Sequence, residues 1–376
     1  MKTSLPSPLK TFAALVGAAL LASTAARAQT FTVQKINPPA GTASCVAQGL
    51  NNSGQVVGYT KVKVGKNTVL GPAFTWVNGL ATTLPPLSGQ PSAEATEVSG
   101  PGLIIGGRYL STAGRATWWE KTPTGYQPRD WNVLLPPGSG VTLLRADSLS
   151  QDGRYVSFQA VLGATGERDI VAEIQLDPTG LLPLGIVAYW DVTDVWGVTD
   201  VHHDGAGLVR AVGLGGPDVD VPGAFLWSKA PDGEVQMLDL HPPTEQTTGA
   251  WAVNGLGQAA GFRRNSTVDR AVFWNASGVM QDLGTLGGTE SVAQSINEGG
   301  NVVGWAMTGG RQSVRHAFLW DASTGLRDLN ALKSPTDTSG LELTSAWKIN
   351  NAGQILAVGS SKTLGSGPVL LKPVVP

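Results

Sequence analysis

Two short clusters of side chains have the types and spacing to hold a metal ion. Asp218 and Asp220 stand one residue apart in a loop that begins with Gly215-Gly216-Pro217, and paired carboxylates of this kind can hold calcium. A solvated acidic loop is the alternative interpretation. His202-His203-Asp204 offers two imidazoles, but zinc would need at least one further ligand from elsewhere in the chain.

The motifs of common catalytic sites are absent from the sequence. It contains neither the G-x-S-x-G nucleophile motif nor the H-E-x-x-H zinc motif. Gly100-Pro101-Gly102 precedes an apolar strand pattern instead of a helix, which argues against a nucleotide-binding loop. We therefore predict no catalytic residues and no cofactor, with calcium as the one exception left open.

A repeat of about fifty residues must position every candidate residue. Its clearest copy comprises residues 293–304, an Ala-Phe-Leu-Trp run that ends at Trp320, and Asp328-Leu329. Short apolar runs alternate with Asn/Gly-rich hairpin turns, and no segment keeps helical spacing beyond one or two turns. The turn glycines that mark the seven copies are Gly54, Gly102, Gly153, Gly205, Gly257, Gly300 and Gly353.

This repeat predicts an all-β protein, a β-propeller of seven four-stranded blades. The seventh unit ends after three strands, whereas residues 31–36 form an extra strand before the first unit. We expect this N-terminal strand to pair with the last blade and close the ring, which leaves no edge strand there unpaired. Six or eight blades remain alternatives because the third unit, residues 146–184, is weakly patterned.

Alignment of the units on their turn glycines selects candidate ligand-binding residues. Five positions before the glycine, Glu97, Asp200 and Lys348 could line the axial channel and hold an ion; a solvated channel wall is the alternative. Six positions before it, Trp251 and Trp347 could stack on sugar rings, or could wedge between blades as core. The same alignment places His202 and His203 in a turn, which disfavours zinc. The third-strand tryptophans are predicted to be packing residues: Trp76, Trp119, Trp227, Trp274 and Trp320.

Several phrases of the repeat resemble the bacterial HAF-type extracellular repeat family, named for its His-Ala-Phe triplet. They are residues 316–320 (HAFLW), 282–288 (DLGTLGG) and 291–297 (SVAQSIN). Units five and six match well, units one, four and seven in part, and units two and three poorly. The resemblance implies an exported bacterial repeat protein, and it transfers no activity and no catalytic residue.

The N-terminus indicates export. Lys2 and Lys10 precede a short apolar run, residues 11–21, and Ala26-Arg27-Ala28 fits a signal-peptidase site. We therefore expect residues 1–28 to be a signal peptide and residues 29–376 to be a single propeller domain, secreted or periplasmic. Cleavage would take the formal net charge from −2 to −5, which disfavours a nucleic-acid surface. No later segment predicts a membrane span.

These features favour an exported, non-catalytic binding or scaffold propeller whose ligand is unknown. A glycan or a cell-surface component is the partner class we consider, and we expect a monomer. The alternative is a hydrolase or lyase with its active site at the channel mouth, with or without calcium at Asp218 and Asp220. A third, weaker interpretation is a surface protein that self-associates through blade edges.

Overall fold

Short β-strands make up nearly all the regular structure of the protein. A computed structural model describes residues 29–107, 114–163, 166–192, 195–215, 223–242, 247–362 and 365–374. Within these ranges there are 28 strands and one short 3-10 helix, so the all-β prediction is confirmed. Over the same ranges, no helix is long and apolar enough to cross a membrane.

The first half of the described chain contains an N-terminal strand and three repeat units. The N-terminal strand is β1 (Phe31–Lys35). Unit one is β2 (Ser44–Leu50), β3 (Val56–Val64), β4 (Asn67–Val77) and β5 (Leu80–Leu84). Unit two is β6 (Glu94–Val98), β7 (Ile104–Gly107), β8 (Thr117–Thr122) and β9 (Gly125–Asp130), followed by the 3-10 helix Trp131–Leu134. Unit three is β10 (Val141–Leu149), β11 (Tyr155–Leu162), β12 (Glu167–Leu176) and β13 (Pro183–Asp191).

The second half contains the remaining four units. Unit four is β14 (Val195–His203), β15 (Val209–Gly215), β16 (Ala224–Lys229) and β17 (Val235–Asp239). Unit five is β18 (Thr247–Val253), β19 (Ala259–Asn265), β20 (Val268–Trp274) and β21 (Met280–Gly284). Unit six is β22 (Gly287–Ile296), β23 (Val302–Thr308), β24 (Arg315–Asp321) and β25 (Gly325–Asp328). Unit seven is β26 (Glu342–Ile349), β27 (Ile355–Ser361) and β28 (Gly365–Pro373).

The strands form a β-propeller with five antiparallel four-stranded blades. Four blades are units one, four, five and six, each with its strands in sequence order. The fifth has the order β1-β28-β27-β26, so the N-terminal strand supplies the outermost strand of the last unit, as predicted. The first strand of each unit contacts the first strand of the next, and β26 contacts β2. These first strands therefore surround the axis of the ring.

The expected seven separate blades are not found in the described residues, because units two and three share one eight-stranded sheet. The junction is Gly107 of β7, which pairs with Glu94 of β6 and also with Arg145 of β10. Strand β10 can approach because Gly107 has no side chain: a Cβ there would lie 3.3 Å from Arg145 Cα. Asn132 strengthens the junction by bonding both the N–H and the C=O of Leu143.

Recurring large side chains fill the space between neighbouring sheets. All five third-strand tryptophans are buried, with at most 5% of their surface exposed, so their prediction as packing residues is confirmed. Two of them also tie one unit to the preceding one. Trp119 Nε1 donates to Pro85 O at 2.8 Å, and Trp274 Nε1 donates to Leu240 O at 3.0 Å.

Each first strand carries a β-bulge at the residue six positions before the turn glycine of the aligned repeat. The pairing with the second strand skips Gln48, Thr96, Asp147, Thr199, Trp251, Gln294 and Trp347. The bulge pushes a first-strand carbonyl toward the second strand, and a Cβ on Gly58 would lie 2.0 Å from Val46 O. This crowding explains the glycine of the repeated Val-Val-Gly phrase.

Candidate functional site

The seven first strands line an axial channel that widens at both ends. A bulge sets two successive residues against one partner residue, so that both side chains of the pair can turn toward the axis. The residues five positions before the turn glycine face the end nearer the hairpin turns, which we name the turn mouth. Six of the seven bulged residues, all but Thr96, line a cavity at the opposite end, which we name the tryptophan mouth.

An ion pair occupies the waist between the two mouths. Lys348 Nζ lies 2.5 Å from Glu97 Oε2, and the two side chains are 29% and 6% exposed. Burial raises the pKa of Glu97, against the lowering effect of Lys348. Burial also disfavours the Lys348 ammonium, but Glu97 and Asp200 outweigh it and raise the pKa of Lys348 to about 12. Lys348 therefore stays protonated at physiological pH.

Gly49 makes room for this pair. Unit one lies between Lys348 of unit seven and Glu97 of unit two, and it contributes no side chain at the aligned position. A Cβ on Gly49 would stand 2.7 Å from Glu97 Oε1 and 2.8 Å from Glu97 Cα. Glu97 instead fills that space, where its Oε1 accepts from the N–H of Leu50 at 3.3 Å.

Asp200 joins neighbouring units in the same way. Its Oδ1 accepts from Ser148 Oγ of unit three at 3.0 Å, and its Oδ2 accepts from Val253 N of unit five at 3.0 Å. Ser148 Oγ in turn accepts from Val201 N at 3.1 Å. The structure thus brings Glu97, Asp200 and Lys348 to one channel, where their polar atoms bond to neighbouring units.

The turn mouth is a small cavity of about 70 Å³ rimmed by hairpin turns. Buried asparagine side chains connect these turns around the ring: Asn254 to Asn297 O, Asn297 to Asn350 O, and Asn350 to Asn51 O, at 2.8–3.1 Å. These three side-chain amides are thus bonded within the protein.

His202 and His203 lie on a strand instead of in a turn, which corrects the prediction. The β14–β15 hairpin is longer than its counterparts, and His202 pairs with Arg210 and His203 with Val209. His202 Nε2 lies 3.4 Å from Glu298 Oε1, and His203 Nδ1 lies 2.6 Å from Asp152 Oδ2. Asp204 takes the turn position, where it accepts from the N–H groups of Ala206 and Leu208.

The tryptophan mouth is a larger cavity of about 630 Å³ that opens to solvent. Trp251 and Trp347 both line it, together with Lys348. Trp347 is 46% exposed, so it is not a buried wedge between blades. The half-buried Trp251 ring stacks on Phe262 at 5.7 Å between centroids with planes 25° apart, so packing holds its orientation.

Charged groups gather on the side of this mouth opposite the tryptophans. Arg145 Nη1 lies 3.0 Å from Asp147 Oδ1, and both side chains line the cavity. Burial raises the pKa of Asp147, although Arg145 opposes the change. Burial likewise raises the pKa of nearby Asp169 to about 7, with Val198 N–H opposing and Asp147 adding to the shift. Glu94 also has a pKa raised by burial, opposed by Arg145.

The predicted calcium ligands Asp218 and Asp220 lie outside the described residues. Within the ranges that the structure does describe, no group of three or more His, Cys, Asp or Glu side chains is arranged to hold a metal ion.

Sequence reasoning missed Gln48, Gln294, Arg145 and Asp147 at the tryptophan mouth. The signal was present for three of them, because Gln48, Asp147 and Gln294 occupy the same aligned position as the two tryptophans. The prediction from sequence names only the aromatic members of that position. Arg145 has no such signal, since it depends on how β10 approaches β7.

Comparisons with known proteins add a likeness in fold. No protein-family model matches the chain, and no curated protein does. Among solved structures, a Vibrio parahaemolyticus oligogalacturonate lyase is similar at 9% identity over 91% of each chain, with a TM-score of 0.49. Prolyl oligopeptidase B from Galerina marginata is similar at 12% identity over 86% of this chain and 47% of that one, with a TM-score of 0.49.

An acylaminoacyl peptidase from Pyrococcus horikoshii is similar at 12% identity over 73% of this chain, with a TM-score of 0.41. The present chain covers 43% of that peptidase, so it spans less than half the length of both peptidases. Likenesses of this size do not bear on activity.

Proposed function

We propose that the protein is a non-catalytic binding propeller whose ligand occupies the tryptophan mouth. One observation carries the proposal: consecutive units present Trp251, Gln294, Trp347 and Gln48 along one arc of a large open cavity. Binding cavities commonly combine such aromatic surface with a few converging polar groups. The channel waist and the turn mouth offer a ligand fewer polar groups, because their side chains are engaged in bonds between units.

The alternative, a hydrolase or lyase at the channel mouth, has weaker support. Its best candidates would be the carboxylates and Lys348 of the channel. A lysine whose pKa is about 12 is a poor general base near neutral pH. The Glu97 carboxylate is bonded to Lys348 and Leu50, and calcium at Asp218 and Asp220 stays a prediction.

We also propose that the ring be counted by repeat unit, as seven, and not by sheet. The support is that all seven first strands carry the bulge at the aligned position. Units two and three thus contribute to the channel separately even though their sheets merge.

Export from a bacterial cell completes the proposal. It rests on the sequence of residues 1–28, which lie outside the described residues, and on the resemblance to HAF-type repeats. A monomeric state stays a prediction.

A binding screen with product analysis tests the function. Residues 29–376 would be applied to arrays of glycans, cell-wall fragments and peptides, beside the variants Trp347→Ala and Trp190→Ala. Trp190 is a partly buried tryptophan of β13, outside the cavity. We expect Trp347→Ala to weaken binding about tenfold or more, since aromatic anchors dominate such contacts, and Trp190→Ala to leave it unchanged. Turnover of a bound compound, or equal binding by both variants, would contradict the proposal.

A further inference from the structure

The arc of the tryptophan mouth alternates aromatic and amide side chains. Going around the ring from unit five to unit one, the bulged residues are Trp251, Gln294, Trp347 and Gln48. On the other arc, Thr96 and Thr199 turn their hydroxyls to backbone oxygens of adjacent units. The alternating arc is therefore where a ligand would find both flat apolar surface and polar groups.

The two tryptophans present surface suited to the C–H face of a sugar ring. Trp251 is held by its stacking on Phe262, and Trp347 leaves 46% of its surface exposed. An indole has only two side-chain torsions, so ordering it on binding costs little conformational entropy. Its flat face buries apolar area without demanding a hydrogen bond from the ligand.

The amides between the tryptophans complement hydroxyl groups. Each glutamine has two N–H donors and a carbonyl acceptor, which matches a group that both donates and accepts. Gln48 lines the cavity, yet its Oε1 is buried, and no described residue bonds it. A buried acceptor without a partner costs about 1–3 kcal/mol. Rotation of the Gln48 amide toward a ligand hydroxyl would satisfy that oxygen.

The charges around the mouth favour an uncharged ligand. Both cations that line the cavity, Arg145 and Lys348, are already paired with carboxylates, at 3.0 Å and 2.5 Å. Glu94 and Asp169 add further carboxyl groups near Arg145. An anionic ligand would have to compete with the paired carboxylates for the two cations.

We infer that the tryptophan mouth binds an uncharged oligosaccharide built of pyranose rings. Sugar rings stack on Trp251 and Trp347, and their hydroxyls bond to Gln294 and Gln48. This inference rests on the proposed binding function of the mouth, and it adds the chemical class of the ligand.

Calorimetric titration with defined oligosaccharides tests the inference. The probes are cellohexaose, xylohexaose and mannohexaose, with hexagalacturonate as the anionic probe of equal length. We expect at least one neutral probe to bind, and hexagalacturonate to bind at least about tenfold more weakly, which corresponds to about 1.4 kcal/mol. Trp347→Ala and Gln294→Leu should each weaken the neutral complex, by about tenfold and about fivefold. The matched controls Trp190→Ala and Gln281→Leu, the latter exposed on β21, should leave it unchanged.

Each other outcome overturns the inference in a distinguishable way. Tighter binding of hexagalacturonate that depends on Trp347 refutes the uncharged class but leaves the binding mouth intact. Binding of a neutral probe that is insensitive to Trp347→Ala, Gln294→Leu and Trp251→Ala refutes both the inference and the proposed site. If none of the four probes binds, the oligosaccharide class is refuted, and the binding function rests on the wider array screen.

Discussion

At the scale of single residues, the polar side chains of the channel connect the units. Glu97 accepts from unit one and pairs with unit seven, and Asp200 bonds to units three and five. Charged residues in a channel suggest an ion site when only the sequence is known. The contacts of Glu97 and Asp200 instead show that they connect neighbouring units, because each carboxylate accepts a hydrogen bond from a backbone N–H of a neighbouring unit.

Gly49→Ala should test whether the Lys348–Glu97 pair requires a residue without a side chain at position 49. The added methyl group would lie within 2.8 Å of Glu97 Oε1, Glu97 Cα and Val57 Cγ2, so the Lys348–Glu97 pair would have to shift. We expect a loss of about 1–3 kcal/mol in the free energy of unfolding, measured by urea denaturation. Gly367→Ala is the control, since a Cβ there meets nothing within 4 Å. Equal stability of the two variants would show that Gly49 is not required.

At the scale of elements, the residue before the alanine of the repeated Ala-x-x-Trp phrase binds an aspartate of the fourth strand. Arg115 pairs with Asp130, Arg270 with Asp282, and His316 with Asp328. His316 also reaches Glu342 of the next unit at 2.7 Å. The histidine of the His-Ala-Phe phrase therefore connects two carboxylates in this chain, and arginine takes its position in two other units.

His316 should make stability depend on pH. Burial lowers its pKa, but the hydrogen bonds to Asp328 and Glu342 outweigh burial and raise it above 6.5. Because the folded state holds this proton more tightly, the stabilisation is complete below pH 6.5 and is lost as pH rises through the folded-state pKa. We expect the stability difference between the wild type and His316→Gln, measured by urea denaturation from about pH 5 to about pH 9, to shrink with rising pH. A difference that stays constant over this interval would refute the role of the charge.

At the scale of the whole molecule, the N-terminal strand closes the ring. β1 pairs with β28 along its whole length, from Phe31–Pro373 to Lys35–Val369. Phe31 is fully buried, and its N–H donates to Leu332 O at 2.8 Å. The two ends of the described chain are thereby joined in one blade, which makes the stability of the ring depend on a strand near its start.

Phe31→Ala should weaken this closure far more than a neighbouring change. Truncation of a buried phenylalanine typically costs about 3–5 kcal/mol, and the adjacent Thr32 is exposed, so Thr32→Ala should cost little. Urea denaturation followed by tryptophan fluorescence measures both. If the two variants lose the same free energy of unfolding, closure by β1 does not stabilise the molecule as we expect.

The sequence by itself determined the features that depend on local chemistry. Hairpin turns need residues that tolerate positive φ, and short alternating apolar runs need a sheet, so the repeat predicts an all-β propeller. Unit seven lacks a fourth strand, and residues 31–36 form an extra strand before unit one. The sequence therefore predicts that this strand pairs with unit seven. The recurrence of the tryptophans once per unit predicts their burial, since a packing position is set by the unit itself.

Only the tertiary structure decided how residues of different units meet. Lys348 and Glu97 are 251 positions apart, and their contact depends on ring closure and on the empty place at Gly49. The merging of units two and three depends on the approach of β10 to Gly107, and the position of His202 depends on a longer hairpin. The bulge, finally, turns the positions five and six residues before the turn glycine toward opposite ends of one channel. A bulge is a shift of the backbone, and a pattern of residue types does not reveal that shift.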